Sequence, residues 1–457
     1  MAVIHWNIQG FSAKLDDLNM LISDFNPSVI ALQESLCSES FTPSIRHFTS
    51  YNTCAVGALR ASGGVTTLIS NTVPQRQIIL NTNLQAHAVN VTLHRTFTIC
   101  NLYLPPNKQV SYQELHDLIS QLPPPFLLLG DFNAHNPLWG SGNLDSKGKS
   151  VEKLIDQHNL CLFNTKHAKT HLHLPTGNLF SIDLSICSPT LFLDFNWSVC
   201  SDLYNSDHYP VILKSPNNVP ENRIPRFRFA DADWDSFKSL VSKLSLDSFQ
   251  TPDPITKFAD EITKIMNLTI PKTSSNPSLK PKKPWFNNEC KAAIAKRKRA
   301  LEKFIRNPDL NHLIEYKRLR AIARRTVKDS KRKSWLEFVE TVNERTSLKS
   351  AWSTVRKIDG KSVKPCISHL EVNGSHVTSK PEIVQSLAQA LYDKCSGNSY
   401  DPDFTRRKVQ IEEQPLQFNI DDVSNYNDDI TMAELQKAIS RTGNSSPGPD
   451  GIPYIVI

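Results

Sequence analysis

Along the first 214 positions, apolar residues recur in short runs, and each run stops at a polar or acidic residue. Ala2 to Trp6 alternates as a β-strand and delivers Asn7, with Gln9 and Gly10 behind it. Val29 to Leu32 delivers Gln33 and Glu34, and Phe97 to Leu102 ends in Tyr103-Leu104-Pro105-Pro106. Phe126 to Leu129 has no polar residue and is closed by Gly130, which predicts a short buried strand releasing Asp131 and Asn133 to one side of the chain. Leu179 to Ile186 alternates around Ser181 and Asp183, and Tyr209 to Leu213 returns to a buried strand after Ser206, Asp207 and His208. Between the runs lie helical stripes: Leu15, Leu18, Leu21, Ile22 and Phe25, then Tyr112, Leu115, Leu118, Ile119 and Leu122, then Val151, Leu154 and Ile155. Strands interleaved with surface helices predict an α/β fold.

The pattern changes after Lys214. Ser215-Pro216-Asn217-Asn218-Val219-Pro220 reads as a linker, and the Pro- and Ser-rich stretch to 283 continues it. Residues 280–333 then hold 19 Lys and Arg against five acids, a net +14 in a chain whose total is +7, so everything else sums to −7. Two helices fit this segment, broken at Asn307-Pro308-Asp309. Ile294, Leu301, Phe304 and Ile305 line the first, and Leu313, Tyr316, Leu319, Ile322 and Ala323 the second. Such a basic amphipathic pair is either a nucleic-acid footprint, with Lys296, Arg297, Lys298, Arg299, Arg324 and Arg325 as its candidates, or the solvated face of a helical hairpin. Farther on, Thr431 and Glu434 read as a capping box for a helix with Leu435 and Ile439 on its buried side. The nine cysteines are scattered without a CxxC pair, which predicts thiols in a reducing compartment and no zinc site. No apolar run approaches the roughly 20 residues that span a membrane, and the start does not read as a secretory leader.

Phosphodiester hydrolysis needs a metal-holding carboxylate, a proton acceptor and amide groups on the phosphate. The islands at 130–133 and 206–208 supply all three, although each taken alone could be a simple turn. Trp6-Asn7, Leu32-Gln33-Glu34, Tyr103, Gly130-Asp131-Phe132-Asn133, Ser181-Ile182-Asp183 and Ser206-Asp207-His208, taken in order, resemble the endonuclease/exonuclease/phosphatase family. The resemblance implies a four-layer α/β sandwich over 1–214, with the site at the sheet edges. It makes Glu34 the principal metal ligand, with Asp207 and Asn7 near the ion. Asp131 and Asn133 would handle the attacking water and the scissile phosphate. His208, oriented by Asp183, would contact the phosphate or take a proton, and Tyr103 would hydrogen-bond a phosphate oxygen. Mg2+, with Mn2+ as the alternative, suits carboxylates plus phosphate oxygens. Gln9 stands where many members have an acid, which weighs against a second metal, and the choice of base between Asp131 and His208 stays open.

By itself the run Ser446-Pro447-Gly448-Pro449-Asp450-Gly451-Ile452-Pro453 could be any double turn. Behind a helix, it resembles the start of the reverse transcriptase of non-LTR retrotransposons. Pro284-Trp285-Phe286 followed by Glu289-Cys290 and a basic helix looks like the segment joining nuclease to polymerase in those elements. The expected organisation is a nuclease at 1–214, a linker at 215–283, a basic helical connecting segment at 284–425 and a truncated start of the polymerase at 426–457. The implied function is a Mg2+-dependent nick in target DNA that leaves a 3′-hydroxyl primer, with element RNA as partner of a full-length protein and no membrane. Chromosomal DNA as substrate implies the nucleus after synthesis in the cytoplasm. A cellular apurinic-type repair nuclease or phosphoesterase of the same fold, and a non-enzymatic nucleic-acid-binding relic, are the alternatives.

Overall fold

The computed structural model describes the chain apart from residues 39, 42, 55–61, 217–226, 245–252, 273–284, 344–351, 353–354, 356–369, 373–374, 378–379, 398–399, 416–428, 442–447, 449–451 and 457. The expected linker turn beyond Pro216 and most of the Ser446–Pro453 run therefore lie outside the described residues, as do Pro284 and Cys366.

The chain divides into two compact units, one of residues 1–218 and 279–394 and the other of residues 219–278 and 395–457. In the first, two six-stranded mixed sheets lie face to face. Their strands are β1 Ala2–Asn7, β2 Val29–Gln33, β3 Phe48–Thr53, β4 Val65–Ser70, β5 Gln75–Ile78, β6 Gln85–Thr92, β7 Thr96–Tyr103, β8 Phe126–Asp131, β9 Cys161–Leu162, β12 Asp183–Cys187, β13 Asn196–Val199 and β14 Val211–Lys214. One sheet runs β13-β14-β1-β2-β4-β3 and the other β5-β6-β7-β8-β12-β9, with β1–β2 and β7–β8 parallel. A separate hairpin, β10 His171–His173 and β11 Asn178–Phe180, stands between the last strands in sequence.

The near-continuous apolar character of the central strands β1, β2, β7 and β8 follows from burial on both faces. Val3, Val29, Ala31 and Ile69 of the first sheet meet Val89, Ile99, Leu127 and Leu129 of the second. The alternate residues point outward. Ile4, Trp6, Ile30 and Leu32 pack with Leu18 and Leu21 of α1 Leu15–Phe25. Ala88, Cys100, Leu102 and Leu128 pack with Leu115 and Leu118 of α2 Tyr112–Ile119 and Val151 and Leu154 of α3 Ser146–Gln157. Helix, sheet, sheet, helix is the four-layer α/β sandwich that the resemblance implies.

Three features depart from the pattern reading. The run 179–186 is not one strand, because Thr170 Oγ1 accepts from the backbone N–H groups of Ile182 and Asp183 and passes the chain from the hairpin to the second sheet. The stretch expected as linker contains two helices, α4 Trp234–Val241 and α5 Pro254–Thr269. Asp233 and Asp253 cap them through the amides of Ser236 and Thr256, and Phe237 packs on Ile262, Ile265 and Met266. Helical spacing of these apolar residues outweighs the Pro and Ser around them. The basic helices α6 Asn288–Arg306 and α7 Leu310–Thr341 are part of the sandwich's compact unit. Ala300, Leu301, Phe304, Leu313 and Tyr316 share a core with Leu172, Leu203 and Tyr209.

Beyond α7 come a small hairpin, β15 Leu370–Val372 and β16 Ser375–Val377, and the helices α8 Lys380–Cys395, α9 Pro402–Glu412 and α10 Met432–Arg441. Thr431 and Glu434 form the expected capping box on α10. No helix among the described residues is long and apolar enough to cross a membrane.

Candidate active site

The site forms where the carboxyl ends of β1, β2, β7 and β8 come level. Asn7 is paired with Gln33 in one sheet and Tyr103 with Asp131 in the other, while antiparallel β12 sets Asp183 opposite Asp131. After β1, β2 and β8 the chain turns sharply, with left-handed backbone at Gln9, Glu34 and Asn133, an uncommon conformation for residues with a Cβ. Gly130 is required for a different reason: a Cβ there would collide with the carbonyl of Leu102 on the adjoining strand.

Asp131 is fully buried. It accepts from Asn7 Nδ2 at 2.9 Å and from the backbone and side-chain nitrogens of Asn133 at 3.0 and 3.2 Å. Burial, with Asp183 adding to it and His208 opposing, pushes its carboxyl well above the usual carboxylate range. His208 lies with Nδ1 2.9 and 3.0 Å from the two oxygens of Asp183, and its Nε2 faces Asp131 at 3.9 Å and Asp207 at 3.8 Å. Burial disfavours the imidazolium, but Asp183 and Asp131 outweigh it and push the pKa up to about 10. Trp6 Nε1 donates to the His208 carbonyl, and Ser206 Oγ donates to the Asn7 carbonyl, which ties this loop to β1. For Asp207, burial is overcome by His171, His208 and Gln9, which hold its carboxyl down at about 2.

His171 joins the site without having stood among the sequence candidates. Its Nε2 is 3.8 Å from Asp207, and its ring centroid is 4.4 Å from that of His208. The two residues also face each other across a backbone bridge. The signal in the sequence is faint, since a histidine in a short His-Leu-His strand has no spacing to the other islands.

Among the described residues, two groups of side chains have ligand atoms close enough together for one cation: His171, Asp207 and His208, and Asp131, Asp183 and His208. A divalent ion fits the site's chemistry, because Asp207 Oδ1 is buried without a hydrogen-bond partner and the two groups together offer three carboxylates, Asp131, Asp183 and Asp207, beside two imidazoles. Glu34, expected as the principal ligand, is in neither group. It is partly buried at the same edge and accepts from the Tyr103 hydroxyl at 2.8 Å, so Tyr103 is directed at this carboxylate.

Of the six basic candidates, Lys296, Arg299, Arg324 and Arg325 are exposed. Arg297 does not face solvent as the charge count implied: it is 1 % exposed, with Nη2 2.7 Å from Asp202 and Nη1 3.9 Å from Asp17. It occupies the same helical stripe as Ile294, Leu301 and Phe304, which turns it inward. Lys298 is half-exposed and also reaches Asp202, at 3.3 Å.

Residues 97–212 match the family model described as endonuclease-reverse transcriptase. The chain is 25% identical over 216 residues to a probable RNA-directed DNA polymerase from transposon X-element of Drosophila melanogaster, covering 47% of this chain and 24% of that protein. It is 21% identical over 243 residues to the RNA-directed DNA polymerase from mobile element jockey of Drosophila funebris, covering 52% of this chain and 26% of that protein. The chain thus spans about a quarter of the length of these curated relatives. Among solved structures, the endonuclease domain of TRAS1, a telomere-specific non-LTR retrotransposon, aligns with 47% of this chain and 97% of its own at 19% identity and a TM-score of 0.41.

Proposed function

We propose that this chain, whose residues 97–212 match the endonuclease-reverse transcriptase family model, is a Mg2+-dependent endonuclease of a non-LTR retrotransposon that nicks one strand of target DNA and leaves a 3′-hydroxyl to prime reverse transcription. The observation that carries this reading is the His208 imidazole, clamped by Asp183 on one nitrogen and open toward Asp131 and Asp207 on the other.

Asp207 and Glu34 would hold the ion, with Asn7 beside them, and the bound ion would stabilise charge developing on the phosphate. Asp131, with its carboxyl raised by burial, is the better proton acceptor for the attacking water, and Asn7 and Asn133 fix its oxygens. His208 is held protonated, so its Nε2–H is suited to contact a phosphate oxygen rather than to take a proton. Tyr103 orients Glu34 through its hydroxyl. Lys296, Lys298, Arg299, Arg324 and Arg325 are the proposed contacts of the helix pair with DNA or element RNA. Extension of the nick is assigned to the polymerase activity named for the relatives. The reading requires access to the nucleus after synthesis in the cytoplasm.

The test is nicking of supercoiled plasmid by the full chain with and without Mg2+, beside His208→Ala, followed by polymerase extension of the nick. Metal-dependent, extendable nicks lost in the variant are expected. Cleavage confined to abasic sites would move the chain to repair chemistry, and no cleavage by a folded chain would reject the nuclease.

A further inference from the structure

One cation at the margin of the site has no part in this chemistry. Lys14 ends the short helical turn Ser12–Lys14 just before α1 and is 7 % exposed. Its backbone is tied to the site's edge, since Lys14 N–H donates to the Gly10 carbonyl and Gly10 N–H donates to the Glu34 carbonyl. No hydrogen bond or ion pair from its ammonium is found among the described residues, whereas buried cations are ordinarily paired. The cations nearby come from α7. Arg320 Nη2 donates to the carbonyl of Asn205, two residues before Asp207, while Arg320 Nε is buried without a partner. Arg324 stands one turn along the same helix and is exposed.

The nearby anions are already engaged. Asp17 accepts from Asn205 Nδ2 at 2.7 Å and faces Arg297. Asp207 is shared by His171 and His208 and is a proposed metal ligand. Three cations with uncommitted donors therefore border one edge of a site built to handle a phosphodiester.

We propose that Lys14, Arg320 and Arg324 form a phosphate subsite for a nucleotide flanking the scissile bond, so that α7 completes the substrate site of the sandwich. The ligand class is a backbone phosphodiester of DNA, gripped by charge and not by base identity. The inference rests on the nuclease reading. Burial first, and then Arg320 and Arg324, hold the Lys14 ammonium below its ordinary pKa against the pull of Asp17 and Asp207. An incoming phosphate supplies the counter-charge this group lacks.

The experiment uses the full chain and a short DNA duplex, with binding measured without Mg2+ across a salt series and plasmid nicking measured with Mg2+. Lys14→Gln and Arg324→Gln should each flatten the slope of log Kd against log salt by about 0.9 and raise KM more than they lower kcat. Lys14→Arg should restore both. Lys149→Gln, an exposed charge on α3, should leave both as in the wild type. Wild-type slope and KM in both glutamine variants, or an equal loss in Lys149→Gln, would overturn the subsite. Should Lys14→Gln fail to fold, Arg324→Gln is compared with Arg325→Gln, another exposed charge on the same helix: a larger loss of slope and a larger rise in KM at 324 keeps the subsite, and equal losses overturn it. Absence of nicking by a wild type whose binding still depends on Lys14 and Arg324 would reject the nuclease reading and keep the subsite.

Discussion

Two buried clusters in the sandwich's compact unit set a cation among carboxylates, and they are different kinds of object. Around Arg297 one pair closes: Nη2 stands 2.7 Å from Asp202, which Lys298 also reaches at 3.3 Å, while Nη1 stands 3.9 Å from Asp17, and these groups are carried by regular helices α6 and α1 and by the loop holding Asp202. Around His208 the clamp is one-sided. Nδ1 is committed to Asp183, but Nε2 stands 3.8 to 3.9 Å from Asp207 and Asp131, too far for a hydrogen bond and close enough for one atom of a ligand to sit between. The neighbouring Glu34 and Asn133 hold left-handed backbone, whereas Arg297 lies in unstrained helix. Burial and opposite charge are common to both clusters. Both also leave a buried donor without a hydrogen bond, Arg297 at Nε and Nη1 and His208 at Nε2. What separates them is that the open donor of His208 faces two carboxylates beside strained strand ends, and that is the mark of a working site.

The comparison is broken most severely on the His208 side. Asp183→Asn removes the charge that orients and protonates the imidazole, so kcat should fall by about 10² to 10⁴ while thermal unfolding stays near wild type. Glu34→Ala and Asp207→Ala should likewise abolish Mg2+-dependent nicking and leave circular dichroism unchanged. Wild-type turnover in either would refute the metal assignment. The Arg297 side should fail in the opposite way. Arg297→Met leaves Asp202 buried with only the half-exposed Lys298, and urea unfolding should show a loss of about 3 kcal/mol, the low end for a broken buried pair. Pairing it with Asp202→Leu should recover much of that stability. A variant with full stability but no activity would place Arg297 with His208 after all.

The two clusters are also unequally legible in the sequence. Asn7, Glu34, Asp131 and His208 each lie at the border of an apolar run, so the alternation of apolar and polar positions is enough to set them at strand ends. The central strands β1, β2 and β8 are legible for the same reason, since they are buried on both faces, whereas the half-exposed, polar β3, β5 and β13 have no such run to read. His171 is not legible, because its role arises from a bridge between the β10–β11 hairpin and the His208 loop, a contact with no local signature. Arg297 is misread when basic residues are counted by charge, because a count treats them all alike. Its spacing of three from Ile294 and four from Leu301 puts it on the apolar stripe, and that stripe is visible in the chain. The helices α4 and α5 are hidden by composition, since Pro254 and the flanking serines signal a linker while Asp253 with Pro254 is also a sound helix start.

A third buried group sharpens the comparison at its mildest. His87 on β6 stacks on Tyr51 at 5.2 Å, and neither of its ring nitrogens has a hydrogen-bond partner. With no carboxylate to favour the cation, burial lowers its pKa from 6.5 to about 4, the reverse of His208. The folded chain therefore binds fewer protons here than the unfolded one. The stabilising contribution is complete above pH 6.5 and is lost as the pH falls from there toward 4. His87→Phe keeps the stacking on Tyr51 and removes the titration, so unfolding free energies measured between those limits should fall less steeply than in the wild type. An unchanged slope would mean that a counter-charge reaches His87 and that this imidazole belongs with the clamped His208, against the rule that carboxylate contact, not burial, decides which of the two is charged.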